Sequence, residues 1–565
     1  MIAARTPSAT SARGAAFAAT PAYPAAPAPP PAAATNSLVV LELGGSLLAG
    51  EEDLPLAVHE VYRWYRAGHR IVVVVSALGR STDRLREQAR RVSGGAELAS
   101  HAVAALLATG EATAAALLVL ALDRAGVAAA LLDPRQTRSR TGCPRLDAGP
   151  RALDISSVRA CLARQPVVVV PVFHGEAADA GVARFGGAGS DLTALHLAHR
   201  LGADHCRLVR AEAWTEVSPG PTALDEARAP RYPLAAPLRV ALLGLGTVGG
   251  GVYRHLLAQL DRFAVVGAAV RDPEPHIRAG VPATLLERDP WRLLERPCDL
   301  VVEALGGTDP AARLIAAALA AGSDVVSANK EVMAGEGGWL VRHAAAHGAE
   351  LRFSAAVGGS VPLLEAVTRA AAAGEIRAVG GVLNGTSNFV LDRLAGGCEL
   401  AAAVRLAQEK GFAEADPARD LDGRDAACKL RILARAAFGV ELAANAVVRR
   451  GLESVDSAAT AAARARGQAI RLLAECRRES GVLRAEVRPV ALPARDFLAG
   501  ARGEENRVVI ERAGGPPLRL AGRGAGRWPT AEAVIADVLD VMRLRHRGPI
   551  APLVAAPRGA EGASA

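Results

Sequence analysis

Short unbroken apolar runs recur along the chain, separated by helix-length segments in which apolar residues return every three or four positions. LVVLEL at 38–43, RIVVVV at 70–75 and PVVVV at 166–170 form a first series. LRVALL at 238–243, FAVVGAAV at 263–270, DLVVEALG at 299–306 and DVVSAN at 324–329 form a second. Runs of this kind are how strands covered on both faces of a parallel sheet read, and strand–helix alternation predicts an α/β architecture. The pattern places one α/β domain at 37–222, a Pro- and Ala-rich linker at 223–237 and a second, Rossmann-type α/β domain at 238–357. From residue 358 the runs give way to Ala-rich helical stretches at 361–373, 400–409, 425–438 and 458–479, which predict an inserted α+β domain over 358–515. The segment 516–545 reads as a strand, a glycine turn and a helix that return to the sheet of the domain at 238–357. Residues 1–36, almost wholly Ala, Pro, Thr and Ser, read as a disordered tail, and 546–565 as a frayed one.

Composition narrows the class without naming a chemistry. Of 565 residues 50% are hydrophobic and 22% charged, values of an ordinary globular chain with room for several cores. The net charge of +8 is not gathered into a basic block, so nucleic acid is not an expected partner. The 7 cysteines are scattered without a CxxC pair, which fits a reducing compartment and neither a disulfide framework nor a zinc site. The run at 72–75 is too short for a bilayer and residues 1–20 lack the apolar core of a signal peptide, so a cytoplasmic protein without a membrane partner is expected.

Two segments carry candidate chemistry. Gly244, Leu245, Gly246, Thr247, Val248 and Gly249 follow a strand and open a helix, the context in which GxGxxG binds a dinucleotide pyrophosphate. The next strand ends in Arg271 and Asp272; Arg271 suits a 2′-phosphate, so NADP is favoured over NAD, which Asp272 keeps open. Further on, GFAEADPARDLDGRDAACK gathers Glu414, Asp416, Asp420, Asp422 and Asp425 ahead of Lys429. Asp425 and Lys429 stand four apart on one helical face. The same acids serve equally well as a charged helix start with a surface ion pair.

In order and spacing, GLGTVG, VVEALGG, VVSANKEV, AAVGGSVP, VLNGTSNFVL, GFAEADPARDLDGRDAACKL and GRGAGRWPTA resemble homoserine dehydrogenase over residues 238 to about 545. The resemblance implies NAD(P)-dependent interconversion of L-aspartate 4-semialdehyde and L-homoserine by a homo-oligomer. It implies Glu414 and Asp425 as substrate ligands, Lys429 as general acid, and Lys330 near nicotinamide and substrate. Leu305, Gly306, Gly411, Gly524, Ala525 and Gly526 would line the cofactor. The family usually carries a carboxylate ahead of AVGGSVP that helps backbone carbonyls hold a monovalent cation such as sodium. Here that position is Ser354, which leaves the carbonyls of Val357, Gly359 and Val361 to bind it more weakly.

Residues 37–222 resemble the amino-acid kinase fold of aspartokinase, so the whole is similar to a fused aspartokinase and homoserine dehydrogenase. VVVVSALGRSTD matches well, but Glu42 stands where the family has the lysine of KFGGSS. Its RGGSD becomes Gly187, Ala188, Gly189, Ser190, Asp191, and its TDVDG becomes Arg210, Ala211, Glu212, Ala213, Trp214. Phosphoryl transfer rests on positioning and charge neutralisation, so a kinase without these groups is expected to be inactive. Two rivals stand beside this reading: a true bifunctional kinase and dehydrogenase, and a catalytically dead NADP-binding assembly protein. No comparable regulatory segment follows residue 545, so the degenerate domain is the expected place for effector binding or assembly.

Overall fold

The computed structural model describes residues 37–45, 47–92, 100–132, 140–141, 150–152, 155–171, 174–176, 182–184, 189–209, 214–217, 236–260, 262–410, 412–413, 416–524 and 527–546. Its first sheet runs Trp214–Val217, His205–Val209, Leu38–Leu43, Arg70–Val75, Val167–Pro171, Ala129–Leu131, parallel except at the Trp214–Val217 edge. The valine runs are buried on both faces because helices Leu54–Arg66 and Ser100–Arg124 cover one side while Ser156–Leu162 and Gly189–Leu201 cover the other. Within the second of these, Ala102–Arg124 is long and apolar enough to cross a membrane, with a mean hydropathy of 1.9. Its Ala114, Ala115, Leu118 and Leu122 are fully buried in the core of the first sheet, so one face of the helix packs there, while 39% of its apolar window is buried overall.

The second sheet is all parallel, in the order Leu286–Glu287, Phe263–Ala269, Leu238–Leu243, Leu300–Glu303, Asp324–Ser327, Leu351–Arg352. The strand order reverses at Leu238–Leu243, which opens a crevice at the carboxyl ends of the central strands. The third sheet runs Val447–Arg449, Val482–Pro493, Gln468–Glu479, Ile376–Val382, Glu505–Arg512, Leu518–Arg523, and is antiparallel apart from its first pair. Helices Leu363–Ala373, Gly385–Ala395 and Arg424–Phe438 fill the space beside it, and one apolar core joins their inner faces to the second sheet.

Two sequence expectations fail here. The stretch 458–479 is not one helix: helix Ser457–Ala465 ends at Gly467, with φ +68°, and Gln468–Glu479 is a strand. Leu472, Ala474 and Cys476 point inward at period two, and the strand pairs along its whole length with Val482–Pro493 across a Ser480–Gly481 turn with φ of +48° and +83°. Alanine's helix propensity loses to that pairing. The strand Leu518–Arg523 likewise does not return to the nucleotide-binding sheet but pairs with Glu505–Arg512. The return is made by helix Arg527–His546, whose Ala531, Val534, Ile535 and Val538 bury against helix Thr247–Leu257 and the second sheet.

Candidate active site

The strand Leu238–Leu243 runs into Gly244, whose φ of +100° no side-chain-bearing residue adopts cheaply, and a Cβ there would meet the Ala304 carbonyl oxygen at 2.9 Å. Gly246 precedes helix Thr247–Leu257 in extended backbone, and a Cβ on it would meet nothing within 4 Å. A Cβ on Gly249 would lie 2.0 Å from the Gly244 carbonyl oxygen. One glycine thus makes the turn, one leaves open the approach to the helix N-terminus, and one lets helix and strand close up, which fits a pyrophosphate. Leu305 and Gly306 follow the neighbouring strand Leu300–Glu303, and Leu305 lies against the Gly244 turn. Arg271 is exposed just beyond the strand on the other side, Phe263–Ala269.

A buried polar network ties this crevice to Lys330. Glu303, fully buried at the end of its strand, accepts from the Ser327 hydroxyl at 2.6 Å, the Leu305 amide at 2.8 Å and Asn329 Nδ2 at 3.2 Å. Burial pushes its carboxyl up against the opposing pull of those donors. Asn329 also donates to the carbonyls of Gly307 and Leu305, at 2.8 and 3.3 Å. Its Oδ1 caps helix Lys330–Gly335 by accepting from the amides of Glu331 and Val332. One side chain therefore holds the cofactor-side loop and starts the helix whose first residue is Lys330.

Lys330 Nζ lies 2.5 Å from Asp425 Oδ1, and Lys429 Nζ lies 2.9 Å from Asp425 Oδ2. Lys429 also donates to the Leu383 carbonyl at 2.7 Å. Burial alone would raise Asp425, yet the ammonium groups of Lys429 and Lys330 hold its carboxyl far below the usual range; Asp425 in turn raises Lys330. Asn384 Nδ2 bridges Asp425 and Asp420 at 2.9 and 2.7 Å, while burial, then the charge of Asp425, pushes Asp420 up. Lys429 and Asp425 share a face because they stand four apart on helix Arg424–Phe438, which starts after Gly423 at φ +79°. Beside them, Arg419 pairs with Glu331. The group offers a proton donor of limited exposure, a second and half-open ammonium, and a carboxylate fixed between them.

Gly411, Glu414, Ala525 and Gly526 lie outside the described residues. Gly524 is buried, and its amide donates to the Glu504 carbonyl at 2.8 Å. Thr247 and Val248 form the first turn of the helix behind the glycines. Sequence reasoning missed Glu303, Asn329 and Asn384. Each asparagine precedes a helix start and reads as a cap, while the reach of its amide to another strand has no local signal.

At Ser354 the surroundings do not fit a free monovalent cation. Ser354 Oγ accepts from Arg66 Nη2 at 3.0 Å and donates to Asp537 Oδ1 at 3.1 Å, and the Val361 carbonyl accepts from the Leu363 amide at 2.7 Å. A guanidinium already occupies the neighbourhood of the hydroxyl, and a second cation there would be repelled.

Comparison with known proteins gives three family matches: "Homoserine dehydrogenase" over residues 362–539, "Homoserine dehydrogenase, NAD binding domain" over 244–354 and "Amino acid kinase family" over 37–211. The chain is 37% identical over 328 residues to a homoserine dehydrogenase of Corynebacterium glutamicum, covering 55% of this chain and 74% of that one. It is 37% identical over 343 residues to one of Mycobacterium tuberculosis, covering 57% and 78%. The crystal structure of a homoserine dehydrogenase from Thiobacillus denitrificans superposes with a TM-score of 0.53 at 36% identity, over 56% of this chain and 75% of the other.

Proposed function

This chain belongs to the homoserine dehydrogenase family, carrying an amino-acid-kinase domain ahead of the dehydrogenase, and on that premise we propose how its own residues perform the reaction. One observation carries the reading: a continuous line of contacts runs from the Gly244 turn through Leu305 and Asn329 to Lys330, Asp425 and Lys429. The nicotinamide cofactor, when bound, supplies the hydride that reduces the semialdehyde carbonyl. Lys429 Nζ then gives its proton to the oxygen as negative charge develops there, and takes it back in the reverse direction. Asp425 holds that ammonium on station and, with Glu414, binds the polar end of the substrate. Lys330, tied to Asp425 from the cofactor side, provides positive charge near the reacting oxygen. The test is a spectrophotometric assay of the purified full chain, following NADPH loss with L-aspartate 4-semialdehyde; no turnover with either nicotinamide would overturn the reading.

NADP is the preferred cofactor in this proposal, on the exposed Arg271 beyond the second strand, where a 2′-phosphate would lie. Arg271→Ala is then expected to raise KM for NADPH by about tenfold, one charge-assisted contact, and to change KM for NADH little. Equal effects on both, or a wild-type preference for NADH, would make Arg271 an ordinary strand-end arginine.

The kinase-like domain is proposed to be inactive. Glu42 is fully buried in the middle of its sheet between Arg70–Val75 and His205–Val209. Burial first, and then the charges of Glu42 and Asp191, push the neighbouring Cys206 thiol up to about 12. The altered residues 187, 188 and 210–213 lie outside the described residues. Calorimetry of the full chain with ATP and magnesium is expected to give no heat of binding; ATP-dependent aspartyl phosphate formation would refute this part.

A further inference from the structure

We propose that Arg66, from the kinase-like domain, is a positioning residue of the dehydrogenase, its tethered guanidinium standing beside Ser354 in place of a free monovalent cation. The proposal rests on the dehydrogenase reading and adds to it a contribution from the other domain. His59, Tyr62 and Arg66 lie three and four residues apart on helix Leu54–Arg66 and so share a face, which meets the dehydrogenase half. His59 reaches Glu532 at 2.8 Å, and Glu532 also meets His255 at 3.2 Å. The Tyr62 hydroxyl donates to the Ser360 carbonyl at 3.0 Å. Arg66, 5% exposed, bonds Glu365, Asp537 at 2.6 Å and Ser354 Oγ at 3.0 Å, with Asp540 at 3.8 Å. Arg369 donates to the Arg66 carbonyl at 2.6 Å.

These partners bracket one segment. Ser354 precedes the short helix Ala355–Gly358 and is fixed at its amide as well, which donates to Asp537 Oδ2 at 3.0 Å. The helix leads into Gly359, at φ +57°, where a Cβ would stand 2.8 Å from the Gly524 carbonyl carbon. Ser360 Oγ donates to the Arg523 carbonyl at 3.0 Å. Arg66 and Tyr62 thus hold both ends of 354–360, and that segment seats Gly524, the described residue of the proposed cofactor turn. Asp537 is fully buried and Glu365 largely so; two carboxylates this close need a permanent positive charge between them. An arginine supplies it at every ionic composition, whereas a soluble ion supplies it only above its dissociation constant.

The test uses the full chain. Wild-type rates in sodium, potassium and tetramethylammonium buffers of equal ionic strength are expected to agree within about twofold. Arg66→Ala is expected to lose activity on the order of a hundredfold through misplacement of the segment, and to regain several-fold on adding guanidinium or sodium. Arg66→Lys keeps the charge and is expected to stay partly active and independent of added cation. Restoration by an ion is a response that mere loss of packing would not give. A wild-type enzyme that loses most of its rate without alkali cations overturns the proposal, whether or not Arg66→Ala folds. So does a folded Arg66→Ala with wild-type kinetics, or with a loss that no cation restores. A wild type inert in every buffer would instead sink the dehydrogenase reading, and this inference with it.

Discussion

Lys429→Ala is expected to lower kcat by about a hundredfold or more while leaving cofactor affinity nearly unchanged, because general-acid assistance is worth roughly 10² to 10⁴. The geometry separates the two effects. Lys429 bonds Asp425 and the Leu383 carbonyl, whereas Asn329, which donates to the Leu305 carbonyl beside the glycine turn, connects to Asp425 through Lys330. Removing Lys429 leaves Asp425 paired with Lys330, so the fold keeps its buried carboxylate compensated. Steady-state kinetics with a fluorescence titration of NADPH would check both halves. Near-normal turnover would move the proton to Lys330, the other ammonium on the same carboxylate.

A chain beginning at residue 223 is expected to be far less stable than the full one and to lose most of its dehydrogenase rate. Asp537 and Glu365, both paired with Arg66 in the full chain, would lose their shared guanidinium and be left as neighbouring like charges on the uncovered surface. Glu532 would lose His59, and the Ser360 carbonyl would lose Tyr62. Ala536, from the C-terminal helix, is buried in the core of the first sheet and would meet water instead. Thermal melts, light scattering and the NADPH assay on the shortened chain measure the loss. A truncated enzyme with unchanged melting and rate would show that this interface does nothing for the dehydrogenase.

The apolar runs by themselves determined the central strands of the first two sheets, since a strand covered on two faces is apolar at most of its positions. The glycine spacing determined the cofactor turn for a similar reason: the φ of Gly244 and the near contact of Gly249 are demands on single residues, met locally. Asp425 and Lys429 were legible as a pair because four residues on a helix are a fixed distance. The strand Gln468–Glu479 was not, because its alanines favour helix and only pairing with Val482–Pro493 reverses the preference. Leu518–Arg523 looked like a returning strand until Glu505–Arg512 claimed it. Ser354 shows the limit most clearly. Read along the chain it is a missing carboxylate, while in the folded protein its hydroxyl meets Arg66, 288 residues away, and Asp537, 183 residues away. Charge compensation across a domain interface depends on which surfaces meet, and no local pattern of residues records that.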